Sequence, residues 1–136
     1  MTGASISVPF LCLFAAMVLG LVHLTVASFS FKAQVGNSYS VGPRDDDLRP
    51  AGVAGRLDRA QRNFMETFPI FAAAVLMGAA LGHQNRLIDV GAVLYVAGRI
   101  AFLPLYWAGV RWLRTFSWNI ATAGLAAAMI GAVLPQ

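Results

Sequence analysis

The stretch RLDRAQRNFMETFPIF, residues 56–71, places guanidinium, amide and carboxylate groups at the start of an apolar run. Arg56, Arg59, Asn63, Glu66 and Ile70 are 3, 4, 3 and 4 residues apart, a spacing that puts them on one face of a helix. In a later apolar run Arg99, Phe102 and Tyr106 share a face in the same way. Two arrangements fit such groups. In one, the arginines anchor a span and Glu66 neutralises Arg99 within a bundle. In the other, two helices line a polar, wet cavity that opens to one side of a membrane. Asn63 and Tyr106 favour the cavity, because a structural ion pair has no need of them.

Depth supports the same reading. From Thr67 to Gly82 a helix covers about 24 Å, short of the roughly 30 Å hydrocarbon core. A full crossing therefore draws Glu66 and Asn63 to the edge of the hydrocarbon. Pro69 leaves the Met65 carbonyl without its helical donor beside Glu66, and Pro104 does the same for Ile100. Arg99 lies about 20 Å along its helix from Arg86, too far in for an easy snorkel. Counted from Arg86 in both directions, Glu66 and Tyr106 are expected at one depth.

The elements that must position these groups follow from composition. Of the 136 residues 58% are hydrophobic and 12% charged, against roughly 25% charged in soluble domains. With a mean hydropathy of +0.67, a water-soluble chain of this size could not hide its apolar surface. The expectation is an all-α membrane protein, a four-helix transmembrane bundle forming a single domain over residues 1–136. Its spans are placed at about 6–31, 59–82, 87–108 and 115–134, with no alternation that would suggest a barrel. The Gly-, Pro- and Asp-rich segment after Lys32 reads as a surface loop, HQNR (83–86) as a tight turn, and GVRWLR (109–114) as the last loop.

Basic residues set the direction. Lys32, Arg44, Arg49, Arg56, Arg59 and Arg62 accompany the first loop and Arg111 and Arg114 the third, while only Arg86 lies on the other side. The first and third loops are thus expected in the cytoplasm and both termini outside, with Trp107, Trp112 and Trp118 in an interfacial belt. No Lys or Arg precedes Lys32, so the basic region of a cleaved signal is missing, and a bacterial inner membrane is the expected location, with an endoplasmic-reticulum-like membrane as the alternative. The pI near 10.0 does not imply nucleic acid, since the basic residues flank apolar spans. Cys12 is the single cysteine, which leaves no disulfide or zinc pattern. Asp45, Asp46 and Asp47 read as a solvated charge run, and His23 and His83 receive no role.

On these residues the sequence resembles the MAPEG family, the membrane-associated proteins of eicosanoid and glutathione metabolism. The likeness rests on R-x-x-R-A-x-x-N-x-x-E followed by P-x-F within residues 56–71. GRIAFLPLY (98–106) and RTFSW (114–118) support it more loosely. It implies a four-helix bundle assembled as a homotrimer, with glutathione as co-substrate in clefts between subunits, beside a groove for a lipophilic small-molecule substrate in contact with membrane lipid. By motif position it implies that Arg59, Asn63 and Glu66 contact glutathione with Gln61 and Arg56 nearby. Arg99 and Tyr106 would line the cleft from the adjacent subunit, and Arg114 would stabilise the thiolate. Phe102 stands where the family often has tyrosine, and the spacing of the last loop leaves Arg111 as an alternative to Arg114, or neither.

The residue types suit that ligand. Arginines pair with its carboxylates and Glu66 with its ammonium. A guanidinium near a thiol of ordinary pKa, about 8.5, favours the nucleophilic thiolate. The implied activity is a transferase or peroxidase acting on lipophilic electrophiles or lipid hydroperoxides. The alternatives are a non-catalytic lipid- or partner-binding protein of the same fold and a small-solute transporter. The transporter is disfavoured because the polar groups gather at one end and not at the midplane.

Overall fold

The computed structural model describes residues 5–135. Four long helices, α1 (Val8–Val35), α3 (Gly52–Ala80), α4 (Arg86–Trp107) and α5 (Arg111–Val133), are each long and apolar enough to cross a membrane. A short helix, α2 (Asn37–Val41), lies in the first loop. Large apolar side chains such as Phe14, Leu21, Phe29 and Phe116 are almost two-thirds exposed, the pattern of a bundle whose outer solvent is lipid.

Three of the four long helices exceed the spans anticipated from apolar runs, and α4 matches its span to within one residue. α3 begins at Gly52, so Arg56, Arg59 and Arg62 lie well inside a helix and not at its entrance. α5 begins at Arg111, which corrects the reading of GVRWLR as a loop: Arg111 and Arg114 stand in the first turns of α5, and only residues 108–110 connect it to α4. Helix here depends on backbone hydrogen bonding and extends past the apolar stretch into the polar flanks.

Small residues bring α4 and α5 together. A Cβ on Gly91 would sit 2.4 Å from the Ala128 nitrogen and 2.7 Å from the Gly124 oxygen. One on Gly98 would meet the Ala121 nitrogen and the Ser117 oxygen, each at 2.8 Å. Gly91 and Gly98 are two turns apart, as are Gly124 and Gly131, so each helix offers a bare strip of backbone to the other. Ser117 adds a hydrogen bond from its hydroxyl to the Gly98 carbonyl. Around this pair a core of Ala16, Phe71, Val75, Ala92, Tyr95 and Leu125 joins all four long helices, with Phe71 stacked on Tyr95 at 4.2 Å.

The end where α3 passes to α4 is closed by polar groups. Asn85 caps α4, accepting from the Ile88 N–H at 3.1 Å, and donates across to the carbonyls of Gly131 (2.8 Å) on α5 and of Leu134 (3.1 Å) just past its end. His83, without a partner in the sequence reading, finds the Ala132 carbonyl at 2.9 Å. Asn85→Ala deletes a cap and a cross-helix tie together. It is expected to cost about 1–3 kcal/mol and lower the melting temperature in detergent by several degrees. An unchanged melting curve would show that neither contact holds in solution.

Candidate functional site

The polar stripe of α3 does form one face, but that face straddles the boundary between the chain's own core and its open side. Arg56 and Asn63 are half-buried and turn toward α4, whereas Arg59 and Glu66 are exposed. A helix turns about 100° per residue, which sets Arg59 and Glu66 roughly 60–80° round from Arg56. That difference is enough to send the two groups in different directions.

The inward edge meets Arg99, whose side chain is 0% exposed. Its guanidinium donates to Asn63 Oδ1 at 2.7 Å and to Thr67 Oγ1 at 2.8 Å. Thr67 Oγ1 also lies 3.0 Å from the Tyr95 hydroxyl and donates to the Phe64 carbonyl at 3.3 Å. The guanidinium carbon stands 5.8 Å and 5.2 Å from the ring centres of Tyr95 and Phe102. Arg99 Nε has no partner among the described residues. Neither Arg99 nor Glu66 belongs to an ion pair there, which corrects the anchoring alternative in which Glu66 neutralises Arg99. The expected presentation of Arg99 to an adjacent subunit is corrected too: its head is buried inside its own chain.

Two members of this cluster, Thr67 and Tyr95, carry no site role in the sequence analysis. The available signal was helical spacing, since Thr67 follows Asn63 by four residues and Tyr95 precedes Arg99 by four.

The end nearer Arg56 holds a second group. Arg56 Nε donates to the Trp107 carbonyl at 3.0 Å, satisfying an orphan acceptor at the C-terminus of α4. Arg114 lies over the ring of Tyr106, 4.5 Å from its centre, and Tyr106 meets Phe102 edge-on at 5.3 Å. Arg62 pairs with Asp58 at 2.8 Å, and Arg111 is exposed.

These contacts fix the relative levels of the helices. Asn63 faces Arg99 and Arg56 faces Trp107, so Glu66 is level with the region of Val96, not with Tyr106. The two lie about 15 Å apart along the bundle. Part of that offset arises because α3 ends at Ala80 and α4 starts at Arg86, so the turn between them adds no helical rise to the α3 arm.

Gln61 points elsewhere, into a groove of about 510 Å³ between α1 and α3 lined by Phe14, Leu21, Phe64, Met65 and Phe68. A second groove of about 510 Å³, lined by Val26, Leu57, Leu103, Pro104 and Trp107, opens between α1, α3 and α4. Both are apolar enough for a hydrocarbon tail. The open face of α3 meanwhile offers a cation and an anion two turns apart, about 10 Å along the helix, which suits an elongated zwitterion.

No curated protein and no solved structure matches the chain. A model of the MAPEG family does, over residues 8–134, which takes in all five helices. The exposed Arg59 and Glu66, the Asn63–Arg99 cluster and the Arg114–Tyr106 stack thus all lie on one matched four-helix unit, and the chain belongs to the MAPEG family.

Proposed function

We propose that the protein is a glutathione-dependent membrane transferase or peroxidase acting on lipophilic electrophiles or lipid hydroperoxides. The observation that carries this reading is the open face of α3. Arg59 and Glu66 are exposed, oppositely charged and unpaired among the described residues, while Asn63 beside them is held by a buried arginine. Membership of a family that includes glutathione transferases and peroxidases supports it.

In this proposal Glu66 takes the ammonium of glutathione, Arg59 a carboxylate, and Asn63 a polar group between them. Arg99 positions Asn63 and does not touch the ligand, and Arg56 holds the adjoining end of α4 in place. The ligand lies along α3, from Glu66 toward the level of Arg114 and Tyr106. Arg114, steadied over the Tyr106 ring, is the guanidinium assigned to the thiolate, which the ligand carries on its central residue. The sulfur lone pair then forms a bond to an electrophilic carbon and expels its leaving group. With a hydroperoxide it attacks the terminal oxygen and the O–O bond breaks; the alkoxide takes a proton and leaves as the alcohol, and the sulfenic acid reacts with a second glutathione to give the disulfide and water. The polar face left open by the chain itself is completed by further copies in a homotrimer. Lipophilic substrate enters from the membrane along an apolar groove. The membrane is a bacterial inner membrane, with the first and third loops on the cytoplasmic side.

Glutathione titration and conjugation of a generic electrophile, on protein purified in detergent, test this. Arg59→Ala and Glu66→Gln are each expected to weaken binding about tenfold or more. Arg114→Ala should lower kcat about 100-fold with little change in affinity, and raise the pKa of the bound thiol. Absence of binding at millimolar glutathione would sink the reading, and full affinity in both α3 variants would show the site to be elsewhere. The two apolar grooves favour the second reading, a lipid-binding protein of the same fold without turnover, which predicts a retained lipid and no conjugation.

A further inference from the structure

The first loop builds a pocket that the glutathione reading leaves unused. α1 is 28 residues long, about 42 Å of helix, against a hydrocarbon core of roughly 30 Å. Lys32, in its last turn, is the first charged residue of the chain and stands at or beyond the hydrocarbon edge. The loop folds back to meet it. A pocket of about 240 Å³ is lined by Ser28, Phe29, Phe31 and Lys32 of α1 with Ser40 of α2 and Arg44.

The pocket is held in shape. Gln34 accepts from the Ala51 N–H at 2.9 Å and donates to the Arg49 carbonyl at 3.0 Å, tying the end of the loop to the end of α1. The Tyr39 hydroxyl accepts from the Leu48 N–H at 2.7 Å and donates to the Arg44 carbonyl at 3.4 Å, while its ring packs edge-on against Phe31 at 6.3 Å. Arg44 has a φ of 59°, a left-handed conformation that costs energy for a residue with a Cβ. Its guanidinium then donates to the Ser40 carbonyl through Nε (3.2 Å) and Nη2 (2.9 Å), leaving Nη1 and the remaining protons free.

Two cations therefore share one pocket, and neither forms an ion pair among the described residues. Of the three carboxylates that follow Arg44, that of Asp47 is taken by Arg49, and those of Asp45 and Asp46 are exposed and do not line the pocket. Like charges placed together repel unless an anion sits between them. Beside the pocket Val41 and Leu48 are 77% and 46% exposed, as in a loop lying in the interfacial layer of a membrane, and Phe29 leads down α1 toward the hydrocarbon at 64% exposure.

We propose that this pocket binds the phosphate of an anionic membrane phospholipid. Lys32 and Arg44 hold the phosphate, the Ser28 hydroxyl is free to donate to it, and one acyl chain descends along α1 past Phe29. Basic pockets at a membrane edge select anionic headgroups by roughly 1 kcal/mol per cation, which here corresponds to about a 30-fold preference for two. The proposal stands independently of glutathione.

The test uses the full chain in neutral detergent, with phosphatidylglycerol and phosphatidylcholine of the same acyl chains, and counts retained lipid by native mass spectrometry. Phosphatidylglycerol is expected to bind at least tenfold more tightly. Lys32→Gln combined with Arg44→Gln should erase that preference. Arg62→Gln, which removes the same charge at a residue paired with Asp58, should keep it. Should the double variant fail to fold, Lys32→Gln alone, at an exposed side chain, should lower the preference at least threefold. Equal retention of the two lipids, or equal loss of preference in the Arg62 variant, overturns the proposal. Displacement of phosphatidylglycerol by millimolar inorganic phosphate would also overturn it, by assigning the pocket to a free anion.

Discussion

Gly124→Leu is expected to abolish the folded, monodisperse protein. An ideal Cβ at this position lies 2.6 Å from the Tyr95 nitrogen, 2.7 Å from the Gly91 oxygen and 2.8 Å from Leu94 Cβ. Two of these three atoms are backbone, so no rotamer change on either helix relieves the contact. α4 would have to move away from α5 by about an ångström or more, and both ends resist. Ser117 is bonded to the Gly98 carbonyl, and Asn85 to the carbonyls of Gly131 and Leu134. Within lipid there is no hydrophobic force between helices to compensate for lost packing. A cost above about 4 kcal/mol is in the range that unfolds marginal proteins. Size-exclusion profile and protease resistance in detergent measure it, with Ala126→Leu, at an exposed position of the same helix, as the control. Wild-type behaviour of the Gly124 variant would mean that α4 and α5 do not pack backbone to backbone.

The second large effect concerns a buried charge with neutral partners. Asn63→Leu is expected to destabilise the protein more than Arg99→Met, although Arg99 is the larger and more buried residue. Removing the Asn63 amide leaves a buried guanidinium, already lacking a partner at Nε, short of a second acceptor. Breaking one side of a buried charged contact costs about 3–5 kcal/mol. Arg99→Met removes the charge together with its demand and leaves Asn63 half-exposed and Thr67 bonded to Tyr95, for about 1–3 kcal/mol. The double variant should therefore be more stable than Asn63→Leu alone. Thermal unfolding of the four proteins closes a double-mutant cycle. If Asn63→Leu proves the milder change, the amide is not what holds Arg99.

Much of the fold could be read from the chain because membrane helices announce themselves by length. An apolar run of about 20 residues has few alternatives in a bilayer, where every backbone group must be paired within its own segment. The α4–α5 contact is different in kind. Gly91, Gly98, Gly124 and Gly131 are visible as glycines, but their use depends on the mutual register of two helices, which no single run of sequence contains. The site divides in the same way. A spacing of 3 and 4 put Arg59, Asn63 and Glu66 on one face, yet it could not say that Asn63 looks into the bundle and Glu66 out of it. Thr67 escaped notice because a threonine in an apolar run is unremarked until an arginine from another helix reaches it. Gln61 lies in the same motif but points to α1, since two residues along a helix carry a side chain about 200° round.

The straddling stripe on α3 also says what kind of change this segment can accept over time. One residue inserted between Asn63 and Glu66 would turn Glu66 by about 100°, onto the bearing that Thr67 now occupies, and carry Thr67 away from Arg99 and Tyr95. The acid would face the buried cluster and the open face would keep only its arginine. A substitution between Arg56 and Thr67 alters the contacts of one side chain, whereas a change in the count of residues re-aims every side chain beyond it. In this stretch a change of length disturbs more contacts than a change of letter.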